Sequence, residues 1–274
     1  MTIAAAAAAL AMYGAALLNQ WGQLNLRHTE ASELTADSNA SRSATTRIYA
    51  LSSAGVLCHA IACYSILFTG QGLNLSVLAV SNLVCFVMLL VVLAATARLP
   101  VQNLNLFLYP LAIVLLLALM LFGPGDAIIN NIDQYLATHI LLSLGAYAML
   151  MMAAFQSGLL ATQEKHLRNR SFGLLRILPP LEYMEQLLVV MLWVGLILLT
   201  CAIASGFIFL DLSQQVAHHF VLTTASWLTY VVFLGGRYLF GWRGLTAVRW
   251  TTTAFVLLLL GYLGSKFVLE YLLS

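Results

Sequence analysis

Histidine is the residue type best placed to do chemistry in this sequence. His59 lies in LCHAIACYSIL (57–67), His139 opens HILLSLGAYAML (139–150), and His218 and His219 sit together in SQQVAHHFVLTT (213–224). All four lie in or beside long apolar stretches, whereas His28 and His166 fall in polar ones. An ionisable group in lipid costs roughly 2.5 kcal/mol or more when charged, so such a residue has a firm partner or a function. Neutral imidazole is the commonest biological metal ligand, and two imidazoles on opposite faces of a macrocycle hold haem iron. Zinc or copper would more often recruit a third ligand close by. The cysteines Cys58, Cys63, Cys85 and Cys201 are scattered through apolar segments without a CxxC pair, and read as small hydrophobes. Asp and Glu are missing from the interiors of the apolar segments, so a proton relay lacks its carboxylates. Haem ligation, hydrogen-bonded buried histidines and metal or proton binding all remain open on this chemistry. No nucleophile–base pair, phosphate-binding glycine loop or carboxylate pair is visible, so the chain is not expected to be an enzyme.

The elements that must position these residues follow from composition. Of 274 residues 62% are hydrophobic and 8% charged, with a mean hydropathy of +0.93; a soluble domain carries about 25% charged residues. The default is therefore a polytopic membrane protein surrounded by lipid. A net charge of +2 with no basic run excludes a nucleic-acid partner. Eight apolar segments appear, at 3–24, 47–69, 74–97, 103–122, 134–162, 186–210, 217–240 and 247–271. Each approaches or exceeds the ~20 residues a spanning helix needs. TGQGLN, RLPVQN, FGPGDA and GWRG punctuate them. The first has no Lys or Arg before Arg27, and so reads as a retained span rather than a cleaved signal. The expected fold is an all-α polytopic bundle of eight transmembrane helices, forming a single domain over 1–274.

Eight spans put the loops 25–46, 98–102, 163–185 and 237–246 on one side. Those loops and their flanks hold eleven of the twelve Lys and Arg residues; only Lys266 falls on the other. By the positive-inside rule both termini then face outward, periplasmic in a Gram-negative host. His59, 12 residues past Arg47, sits about 18 Å up its helix, and His139, six past Asp133, about 9 Å below the outer end of its own. With His218 and His219, four histidines share the outer half. Asn74, Ser76, Ser81 and Asn82 could line a site there, with Tyr64, Tyr147, Trp227 and Tyr230 as aromatic walls. Lys266 could pair with a propionate. Ordinary alternatives are an interfacial aromatic belt and a snorkelling lysine.

The chain resembles the YpjD-like inner-membrane branch of the cytochrome c assembly family, which also contains HemX-, CcsA- and CcmC-type proteins. The resemblance rests on CHAIA (58–62), GLNLSVLAVSNLV (72–84), HILLSLGAYAML (139–150), LPPLEYMEQLL (178–188), SWLTYVVFLGGRYLFGWRG (226–244) and YLGSKFVLE (262–270), in this order. It implies haem handling, with b-type haem bound between transmembrane helices and presented at the outer face. His139 matches an outer haem-ligand position, His59 a histidine on the second span of this branch, and His218 a third histidine position, with His219 where the branch often has lysine. SQQVAHHFVLTT replaces the tryptophan-rich segment of CcsA- and CcmC-type proteins, and Gly235 stands near a further family histidine. The resemblance thus implies haem binding or shuttling, with membrane partners in cytochrome assembly, rather than a synthetase. The competing expectation is a divalent-metal transport or homeostasis protein using His218 and His219.

Overall fold

The computed structural model of the chain describes residues 2–30, 38–70, 72–125, 127–130, 132–169, 179–206 and 214–264. Eight long helices dominate it: α1 (Thr2–Glu30), α2 (Ser38–Leu67), α3 (Val77–Thr96), α4 (Asn105–Phe122), α5 (Gln134–Arg168), α6 (Leu181–Gly206), α7 (Gln214–Phe240) and α8 (Leu245–Leu259), the last running into a π-helical turn at Leu260–Gly264. They fall into two compact units, α1–α4 and α5–α8.

Among the described residues seven helices are long and apolar enough to cross a membrane. The exception is α7, whose apolar run is diluted by Thr223, Thr224, Ser226, Thr229, Tyr230 and Arg237. Burial divides the apolar helix α2 into two faces. Ser52, Val56, His59, Ala62, Cys63 and Ile66 form its buried face at helical spacing, while Leu57, Ile61 and Tyr64 are exposed. A helix apolar on both its packed and its open face is one built for lipid.

The all-α expectation needs one amendment. Residues 68–69 and 74, assigned to spans by their apolarity, are extended: β1 (Phe68–Thr69), β2 (Gly72–Asn74) and β3 (Ile128–Ile129) form an antiparallel sheet in the order β1-β2-β3. Gly72 makes it possible. Its φ is +156°, and a Cβ there would lie 2.5 Å from the Ile129 carbonyl oxygen. Asn74 and Ser76 then fasten the sheet to the bundle. Asn74 Nδ2 donates to Gly125 O (2.8 Å), and its Oδ1 accepts from Ser76 N (3.0 Å). Ser76 Oγ bonds Pro124 O and caps α3 by accepting from Ala79 N (3.4 Å). Both side chains are buried. These two polar residues hold a turn, which accounts for them without a ligand.

In the α5–α8 unit small residues bring helices close, as they do in membranes. Gly195 of α6 faces Leu150 of α5, where a Cβ would come within 2.6 Å of Leu150 Cδ2. Ser226 Oγ of α7 donates to Ala254 O of α8 (2.7 Å), and Tyr147 OH of α5 donates to Leu258 O of α8 (3.2 Å).

Candidate functional site

His139 is positioned from both ends. Asp133 caps α5, its Oδ1 accepting from Leu136 N at 2.8 Å. That fixes where the helix begins, and places His139 six residues, about 9 Å, along it. Across the helix pair, the imidazole meets the last turn of α6. His139 Nδ1 lies 2.9 Å from Ser205 Oγ, and Ser205 Oγ is 2.9 Å from Ala202 O. Gly206 lets the ring lie against the backbone, since a Cβ there would come within 3.2 Å of His139 Cε1. The side chain is half-buried. An imidazole anchored through one nitrogen, on a rigid helix and not sealed from its surroundings, is arranged as a metal-ligating histidine usually is.

Trp227 belongs to the same unit. Its Nε1 donates to Thr200 Oγ1 of α6 at 2.9 Å, five residues and about 7.5 Å along that helix from Ser205. The other aromatics do different work. Tyr147 is spent on Leu258 O and packs on Tyr262 with ring centroids 5.3 Å apart. Tyr230 is fully buried in the helix packing. Tyr64 is exposed on the open face of α2, against Phe68. His218 and His219 lie in the first turns of α7; their side chains, and Lys266 altogether, lie outside the described residues.

His59 belongs to the α1–α4 unit and has a different character. It is 0% exposed. Tyr13 OH of α1 lies 3.3 Å from His59 Nδ1, and the two rings meet edge-on at 5.9 Å. Phe86 of α3 meets the other side edge-on at 5.9 Å. The Asn82 side chain of α3 lies beside the imidazole, but neither Asn82 Oδ1 nor His59 Nε2 has a hydrogen-bond partner among the described residues. Asn82 Nδ2 is already used, donating to Leu78 O (2.9 Å) and reaching Leu115 O (3.4 Å). Tyr13 in turn stacks on Tyr109 (5.7 Å, 19°), whose hydroxyl is 2.5 Å from Ser52 Oγ. Four helices thus converge on one buried polar cluster, with His59 at its end.

One charged group escaped the sequence reading. Glu185 had been assigned to the loop 163–185, but α6 begins at Leu181, directly after Pro179 and Pro180, where proline readily starts a helix. Glu185 is therefore buried inside α6. Its Oε1 accepts from Gly244 N (2.9 Å) at the start of α8, and its Oε2 lies 3.8 Å from Arg237 of α7. An acid at the edge of an apolar run, and an arginine in GGRYLF, were the signals available. Among the described residues no three His, Cys, Asp or Glu side chains gather as a metal-binding group.

These arrangements can be set beside known proteins. A family profile described as "Cytochrome C assembly protein" matches residues 48–273, more than four-fifths of the chain. The chain belongs to that family. Within it, the chain is 33% identical over 218 residues to the inner membrane protein YpjD of Escherichia coli strain K12, covering 78% of this chain and 82% of that protein. It is also 33% identical over 141 residues to an uncharacterised 28.8 kDa protein of Azospirillum brasilense, covering 50% of this chain and 52% of that one. No solved structure matches the chain significantly. The part shared with other cytochrome c assembly proteins contains α3–α8 and nearly all of the apolar part of α2, so His59, His139, Ser205, Glu185 and Arg237 all fall inside it. Tyr13, on α1, lies ahead of it.

Proposed function

We propose that this cytochrome c assembly protein handles haem in the bacterial inner membrane. It binds b-type haem near the outer face, with His139 as an iron ligand, and hands it on to membrane partners in cytochrome biogenesis or haem homeostasis. It does so as a binding protein, not an enzyme, with eight spans and both termini periplasmic. The observation that carries this reading is the setting of His139: half-buried, at the start of a capped helix, with Nδ1 held by α6. Haem bound there would supply an iron centre needing axial nitrogen ligands. His218, in the first turns of α7, would supply a second ligand, and His219 would stand beside it in the site. Trp227 would form part of the wall, and Lys266 would pair with a propionate. His59 is sealed among Tyr13, Phe86 and Asn82, which supports its role as a buried hydrogen-bonding partner. The competing reading, divalent-ion transport or homeostasis, would use His218 and His219.

The test is an absorption spectrum of the protein purified in mild detergent from haem-replete cells. A Soret band that disappears in His139→Ala and persists in His59→Gln is the expected result. A protein that stays colourless when titrated with haemin would overturn the proposal.

A further inference from the structure

The end of α6 determines which nitrogen of His139 carries the proton. Ser205 Oγ stands 2.9 Å from Ala202 O and 2.9 Å from His139 Nδ1. A serine hydroxyl has one proton to give, and a carbonyl oxygen can only accept. That proton therefore goes to Ala202 O, and toward the imidazole the hydroxyl oxygen is an acceptor. In a neutral ring Nδ1 must then be the protonated nitrogen. Gly206 completes the arrangement: Cε1, the carbon between the two nitrogens, rests where a Cβ would intrude.

We propose that Ala202, Ser205 and Gly206 form a positioning cradle that fixes His139 as the Nδ1–H tautomer and turns Nε2, with its lone pair, away from Ser205. Ser205 is a positioning residue acting through His139. For haem the consequence, which rests on the function proposed above, is that Nε2 is the iron ligand. An acceptor on Nδ1–H increases the basicity of the opposite nitrogen, which favours ferric over ferrous iron and lowers the midpoint potential.

The experiment uses the full-length protein in detergent, labelled with 15N-histidine and prepared without haem. Long-range 1H–15N correlation spectra, with the His139 signals assigned by their loss in His139→Gln, report the tautomer. The expected result is a protonated Nδ1 in the native protein. Ser205→Ala, which removes the acceptor at Nδ1, is expected to produce a mixture of tautomers, and Ser205→Thr to restore the native pattern. An Nε2–H tautomer in the native protein would overturn the cradle, and a spectrum unchanged in Ser205→Ala would remove Ser205 from it. The second readout is the midpoint potential after loading with haemin: raised in Ser205→Ala, restored in Ser205→Thr. Failure to bind haemin would sink the haem reading and leave the tautomer result standing, so the two are separable.

Discussion

Tyr13 is the residue on which the buried cluster of the α1–α4 unit turns, because it touches both His59 and Tyr109. Its ring is admitted by Gly55, where a Cβ would lie 2.7 Å from Tyr13 Cε1. Gly55→Val is expected to cost about 1–3 kcal/mol through overpacking, read as a fall in the midpoint of thermal unfolding in detergent. Tyr13→Phe keeps the stacking and strands the His59 ring nitrogen; a loss of about 1–3 kcal/mol is expected, measured the same way. His59 and His139 were both legible in the sequence as ionisable residues in apolar runs. Their difference was not, because it depends on neighbours 46 and 66 positions away, Tyr13 and Ser205. Neither the alanine-rich stretch around Tyr13 nor the small-residue segment CAIASG around Ser205 carries any local mark of chemistry.

At the scale of the element, α7 carries an unusual stripe. Thr223, Ser226, Tyr230, Phe233 and Arg237 follow one another at spacings of three and four on its buried side. Ser226 and Arg237 have partners on neighbouring elements, whereas the hydroxyls of Thr223 and Tyr230, like that of Thr251 on α8, have none among the described residues. Removing an unpaired buried hydroxyl while keeping its shape is neutral or stabilising. Tyr230→Phe is therefore expected to leave the unfolding temperature unchanged or raise it, in contrast to Tyr13→Phe. At the far end of the stripe, Glu185→Ala would leave Arg237 with its charge uncompensated and Gly244 N without an acceptor. A destabilisation of about 3–5 kcal/mol is expected, with partial recovery in the double variant Glu185→Leu, Arg237→Leu. The helices themselves were legible from apolar length. Their ends were not, wherever a cap, a proline or a sheet decided the boundary: Ser76 shortened the third apolar segment, and Pro179 and Pro180 set the sixth one back to Leu181.

For the whole molecule, the charge asymmetry of the loops predicts both termini outside. Alkaline phosphatase fused to the C-terminus is expected to be active and a green fluorescent protein fusion there dark, with the reverse for fusions placed in the loop near residue 170. Composition and loop charge were enough to anticipate a membrane bundle, because lipid imposes the same demand on every span. They carried no information about which helices pair, since apolar faces turned to lipid and to protein read alike. The small sheet was also hidden, because it depends on one glycine approaching a carbonyl 57 residues away.

The length of α5 has a mechanical meaning. At 35 residues it measures about 52 Å, against roughly 30 Å for a hydrocarbon core and 40–45 Å with headgroups. If the capped end at Asp133 sits at one interface, the opposite end, with Lys165, His166 and Arg168, stands clear of the headgroups as a rigid spur. A partner coming from that side would meet a stiff, positively charged post, whose direction is set by the same helix that carries His139.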